Sequence, residues 1–296
     1  MATVETAGTM DASVEEWSGK DRGDENFPVG SALISARLRP HVHAFYAFAR
    51  NADDIADSPA LAAADKLARL DVMEAVLTGA RQTGSPSALA LRASLAGSGV
   101  TDRHARALLV AFRQDATKRR YASWEELLDY CRFSAMPVGR QLLDLHGEGP
   151  ETWPASDALC AALQVLNHVQ DCARDFAALD RCYLPDDMMQ RFGTGTEALA
   201  GPAETAGLRR VFDALLDECD ALNRTAAALP VSTRNRRLRL ETAVILGLSR
   251  RLAGRLRRGD PLASRVKLRR GDVAGAVLAA LRHVPGPPRV PSGTPA

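Results

Sequence analysis

Asp53, Asp54 and Asp57 crowd one segment of the chain, and Asp171 and Asp175 another, more than a hundred residues further on. In each, carboxylates stand four apart, the spacing that stacks side chains one turn above another on a helix. Aligned like charges repel, weakly in water and more strongly once partly buried. A divalent cation relieves that repulsion. Mg²⁺ takes oxygen ligands, keeps some of its water and bridges a few carboxylates to phosphate, and a cation there would draw electrons from a departing diphosphate. Either acidic run alone is equally consistent with a solvated helix face.

The neighbours of the acids sharpen this reading. At about 100° per residue, Tyr46, Arg50, Asp53 and Asp57 fall on one narrow stripe, and Gln164, Asn167, Asp171 and Asp175 on a second, among Leu163, Val165, Leu166 and Val169. Two polar stripes in an apolar bundle need a polar occupant between them. Arg50 has two roles open, contact with phosphate or pairing with Asp54 at i,i+4. Tyr46 can donate a hydrogen bond or pack with its rim wet. Asp54 lies off the stripe, as an outer acceptor or a further candidate metal ligand. In Asp180-Arg181-Cys182-Tyr183-Leu184-Pro185, Arg181 and Tyr183 can close over an anion, or be a surface arginine and a packed tyrosine. Tyr130 precedes Ser134, Ala135, Val138 and Gly139. Its ring can stabilise a carbocation and its oxygen can manage a proton, beside a channel left by small groups. Those small groups are equally suited to close helix packing.

Helical periodicity must position these groups. It predicts helices over 41–57, 62–77, 101–112, 124–145, 157–177, 208–229, 236–256 and 273–281, with a shorter apolar run over 88–95. Pro28 suits a first helical turn. Ser123 with Glu126 three residues on reads as a cap, and Pro137 predicts a kink inside the fourth helix. With 46% hydrophobic but only 5% aromatic residues in 296, the core is built mostly of Ala and Leu. The expected fold is all-α and single-domain, with a mobile segment over 1–25, the helical domain over 26–283 and a Pro-rich tail over 284–296.

The net charge of +2 conceals a segregation. From Val231 onward there are 15 Lys/Arg and 3 Asp/Glu, against 23 basic and 33 acidic residues before it. That basic quarter, with Leu252 and Leu256 among Arg251, Arg255 and Arg258, is expected to rest on an anionic membrane surface or to steer an anionic substrate, unless it is a solvated face. Five cysteines without a C-x-x-C pair argue for a reducing compartment. There is no signal-peptide pattern and no run of about 18 apolar residues. The expectation is a cytoplasmic protein, at most peripheral to the membrane, with no nucleic-acid partner. A noncatalytic helical lipid-binding protein is the rival class, and it leaves two matched acidic stripes unexplained.

The segments YAFARNADDIAD and LQVLNHVQDCARDF, with Tyr130 between them and DRCYLP after them, resemble the squalene/phytoene synthase family over about 26–281. That resemblance implies an isoprenoid-synthase helical bundle around a central cavity, and metal positions at Asp53, Asp57, Asp171 and Asp175 for roughly two or three Mg²⁺ ions. Tyr46, Arg50, Gln164 and Asn167 fall on the other positions of the two motifs. ENFPV and YCRFSAMPVGR are more similar to the family's bacterial hopanoid-pathway branch than to its phytoene-forming branch. This implies presqualene diphosphate as substrate, hydroxysqualene as product, separate enzymes that supply the one and reduce the other, and no NADPH. Coupling of two farnesyl diphosphates to presqualene diphosphate or squalene is the alternative. Asp180 stands where the family's loop carries Gly, and Met136 where the branch most often carries Asn.

Overall fold

The computed structural model describes residues 13–15 and 33–283, and these contain helices but no strands. The expected mobile segment over 1–25, apart from residues 13–15, Pro28 and the tail over 284–296 lie outside the described residues. Four helices open the bundle: α1 (Arg39–Asp57), α2 (Ala63–Thr78), α3 (Pro86–Ser98) and α4 (Arg103–Asp115). They share one apolar cluster in which Phe48, Ile55, Leu70, Met73, Leu91 and Leu109 are almost wholly buried. Each such side chain contributes about 2 kcal/mol relative to exposure. The run over 88–95 is the heart of α3. Ser85 Oγ accepts a hydrogen bond from the Ala88 amide at 3.2 Å, Pro86 fits the first turn, and Gly99 ends the helix at φ 74°, where a side chain would be strained.

The single helix expected over 124–145 is two, α5 (Trp124–Ser134) and α6 (Met136–Leu145). Ser123 caps α5 as expected, accepting from the Glu126 amide at 3.3 Å. The ladder then breaks rather than bends: Ala135 turns to φ −127°, and Pro137 sits in the first turn of α6, where its missing donor is harmless.

The long α7 (Trp153–Leu179) is the central post. It packs on α5, on α6, on α9 (Ala206–Ala226) and on α11 (Arg236–Leu256). Short α8 (Asp186–Arg191) and α10 (Leu229–Ser232) turn the chain, and α12 (Arg270–Ala280) covers α11. Among the described residues, no helix is long and apolar enough to cross a membrane.

The basic last quarter departs from expectation. Leu252 and Leu256 are fully buried in the main core and face no bilayer. Arg255 pairs with Asp272, and Arg257 with Asp217 and Asp220, so these two cations are matched within the protein.

Candidate active site

Helix α1 buries Phe45, Phe48, Ala52 and Ile55 against its neighbours, which turns the opposite stripe of Tyr46, Arg50, Asp53 and Asp57 away from that packing. In α7, the buried Val165, Leu166 and Val169 do the same for Gln164, Asn167, Asp171 and Asp175. Tyr46, Gln164 and Asn167 line one cavity. Eleven residues on from Tyr46 and from Gln164, about 16 Å along each helix, Asp57 and Asp175 are close enough to interact electrostatically. The two stripes therefore run side by side in the same direction, from apolar cavity to acidic end.

The acidic end is dense with charge. Arg50 lies 2.9 Å from Asp54 and 3.2 Å from Asp53, so its pairing role holds. Asp54 is nearly buried in that pair. Arg174, outside the stripes, reaches Asp171 at 2.8 Å and Asp175 at 3.5 Å, and Arg265 approaches Asp171 at 3.4 Å. Asp53 and Asp57 stay about one-third exposed, while Asp171 and Asp175 are more enclosed.

Behind these acids lies a node that spacing did not reveal. Asp115, at the end of α4, is buried and accepts hydrogen bonds from the Tyr130 hydroxyl at 2.8 Å and the Tyr183 hydroxyl at 3.0 Å. Arg181 is buried too, and not at the surface. It donates to Asp57 at 2.8 Å, to the Tyr183 oxygen at 3.2 Å and to the Asp115 carbonyl at 2.9 Å. Its Nε stands 3.9 Å from the Asp115 carboxylate, an ion pair too long for a hydrogen bond. His168 stacks on Tyr183 with ring centroids 3.6 Å apart. Arg181 and Tyr183 thus tie α1 to α4 directly and are already partnered within the protein.

The electrostatics follow from burial. Desolvation, followed by repulsion from Asp57, raises Asp53 well above the usual carboxylate range. Desolvation lifts Asp175 to about 6, with Arg174 opposing and Asp171 and Asp57 adding to it. Asp115 also rises to about 6, chiefly by desolvation, against the pull of Arg181 and the Tyr130 hydrogen bond. Burial pushes His168 down to about 3, keeping it neutral. The cysteines are packed thiols: burial raises Cys131 and Cys172 to about 12 and Cys160 and Cys182 to about 11.

Raised carboxylates are what a cation would relieve, and the donors are all oxygen, which fits Mg²⁺. Among the described residues, no three acidic, imidazole or thiol side chains gather tightly enough to cage an ion. That fits an ion shared with substrate phosphate, held by one or two carboxylates, better than a dedicated protein cage.

The cavity beyond is apolar and about 310 Å³, walled by Val42, Phe45, Val138, Leu159, Leu163 and Ile245. Gly139 lets α6 approach α7 closely: a Cβ there would collide with Ser156 and with the Cys160 sulfur. Both readings of the small residues hold, since Ser134, Ala135, Val138 and Gly139 all line this cavity. Met136 does not. It is buried in the core and faces a separate cleft with Leu128, Phe133 and Trp153. Position 180 also finds its reason: Asp180 caps α7 at φ 49°, a conformation Gly takes freely and Asp tolerates, and its carboxylate holds Arg120 at 2.5 Å.

The profile of squalene/phytoene synthases matches residues 20–272. The chain belongs to that family. Among relatives, hydroxysqualene synthases of Sinorhizobium fredii (strain NBRC 101917 / NGR234) and Rhodopseudomonas palustris (strain ATCC BAA-98 / CGA009) are each 45% identical. The first aligns over 83% of this chain and 84% of its own, the second over 88% and 89%. The crystal structure of squalene synthase HpnC from Alicyclobacillus acidocaldarius superposes with a TM-score of 0.69 at 33% identity, covering 78% of this chain and 87% of that one. The all-α isoprenoid-synthase bundle expected from the sequence is therefore the fold observed.

Proposed function

We propose that this chain converts presqualene diphosphate and water into hydroxysqualene and diphosphate. The observation that carries the reading is the pair of acidic stripes converging at one end of an apolar cavity; the relatives' activity supports the choice of substrate. Asp53, Asp57, Asp171 and Asp175 would hold Mg²⁺, with Asp54 kept in reserve by its pairing with Arg50. A bound ion would neutralise the departing diphosphate.

The chain's own residues do the rest. Tyr46, Gln164 and Asn167, where the cavity meets the stripes, orient the substrate between its charged head and its tail. The apolar walls keep bulk water from the carbocation while it rearranges. Tyr130 keeps its proton and donates a hydrogen bond to Asp115, whose pKa of about 6 suits proton exchange near neutrality. Arg181 holds Asp57 and the Asp115–Tyr183 pair in register, so its contribution to substrate binding acts through those groups.

Purified protein given presqualene diphosphate and Mg²⁺, without NADPH, should yield hydroxysqualene, identified by mass. Efficient coupling of farnesyl diphosphate with no alcohol from presqualene diphosphate would favour the second reading, squalene or presqualene diphosphate synthesis, which the squalene synthase among the structural relatives keeps in play.

A surface role goes with the substrate's greasiness. On α12 and just beyond it, Val273, Val277, Leu278 and Leu281 are exposed along one side, with Lys267, Arg269, Arg270 and Arg282 exposed nearby. An apolar ridge flanked by cations suits the anionic inner face of a cytoplasmic membrane.

A further inference from the structure

Two buried side-chain oxygens in the apolar cavity have no hydrogen-bond partner among the described residues. Gln141, on α6, is 2% exposed and lines the cavity, and its Oε1 is buried without a hydrogen bond. Ser134, which closes α5 and lines the same cavity, carries a buried Oγ in the same condition. Leaving a buried acceptor unsatisfied costs about 1–3 kcal/mol, and buried polar groups in roomy sites are ordinarily satisfied by water. A Leu at position 141 would carry no such penalty among Leu142, Leu159 and Leu163. The two groups lie on either side of the Ala135 break, which brings a hydroxyl and a carboxamide from successive helices onto one wall.

Resting on the reading above, we propose that Gln141 and Ser134 hold the single water molecule that captures the rearranged carbocation. The water oxygen forms the new C–O bond with its lone pair, and the oxonium proton leaves to the carboxylate of Glu241, the acid that lines the same cavity from α11. Cation, water and carboxylate become alcohol and carboxylic acid, so charge and atoms balance. Diphosphate has departed earlier, at the far end of the stripes. Gln141 is a positioning residue here, since it acts through the water. Met136 points elsewhere; of the three carboxamides that line this cavity, Gln141, Gln164 and Asn167, it is Gln141 that carries a buried oxygen without a hydrogen bond.

The test compares wild type, Gln141→Leu and Ser134→Ala, each with presqualene diphosphate and Mg²⁺ in H₂¹⁸O. Diphosphate release and the fraction of neutral product that is ¹⁸O-labelled alcohol are measured separately. Release within about threefold of wild type, with the alcohol fraction reduced at least tenfold in Gln141→Leu and severalfold in Ser134→Ala, is the expected result. The missing alcohol should appear as hydrocarbon formed by proton loss from the same cation. If Gln141→Leu does not fold, the severalfold loss in Ser134→Ala decides. An unchanged alcohol fraction in the folded variants overturns the proposal while leaving the overall reaction intact. A wild type that releases diphosphate but makes no alcohol overturns the reaction itself, and the water site with it.

Discussion

Replacing Asp175 with Asn removes a charge that the folded protein holds at a disadvantage. Desolvation, with Asp171 and Asp57 adding to it and Arg174 opposing, lifts this carboxyl from 3.8 to about 6. A rise of about two pH units corresponds to about 3 kcal/mol borne by the ionised folded form. The side chain is 19% exposed and gives up its pairing with Arg174 at the same time, so about 2 kcal/mol is the net expectation after screening. The sign follows from the direction of the shift. A folded pKa above the unfolded one contributes stability that is complete below 3.8 and lost as pH climbs through 6. Asn does not titrate. In EDTA, the variant should match wild type near pH 4, gain between there and about pH 6, and hold its lead at about pH 8. For a chain of this size the lead amounts to a melting point higher by about 4 °C. Turnover should fall by orders of magnitude in the same variant, because in the proposed function this carboxylate would hold the metal. A variant destabilised equally at all three pH values would refute the reasoning, as it would show Asp175 to be a net stabilising contact.

Two other outcomes are expected. Gly139→Ala should lower stability by about 1–3 kcal/mol, because its methyl group meets Ser156 and Cys160 across the α6–α7 contact; urea unfolding measures it, and a neutral result would mean that α6 can shift freely. The double variant Val277→Asp, Leu278→Asp should abolish low-salt cosedimentation with phosphatidylglycerol vesicles while leaving turnover of detergent-dispersed substrate unchanged; retained binding would move the membrane surface off α12.

The sequence made the stripes legible because helical spacing alone sets which side chains share a face. Tyr46, Gln164 and Asn167 did meet one cavity, and the acids did gather at one end. Asp115 was hidden for a different reason. It reads as a polar residue ending the stripe of Leu108 and Phe112, and only the tertiary return of Tyr130, Arg181 and Tyr183 draws it inward. Arg181 likewise carries no local mark of burial. Pro137 announced trouble in the fourth helix, but a kink and a full break at Ala135 share one sequence signal, and packing of α6 against α7 selects the break. Leu252 and Leu256 misled because a Leu beside arginines looks the same whether the leucine faces lipid or core; Arg255 of α11 finds an acid on α12, and Arg257, just past its end, finds two on α9. Arg174 could have been found from its place three residues after Asp171, whereas Arg265 has no such clue.

The convergence of α1 and α7 on one metal–diphosphate group is tested most directly by a crystal structure grown with Mn²⁺ and inorganic diphosphate. Anomalous scattering should place manganese against carboxylates of both helices, at least one of Asp53 and Asp57 together with at least one of Asp171 and Asp175, with the diphosphate between them. Manganese on one helix alone, or diphosphate bound away from both, would contradict the account.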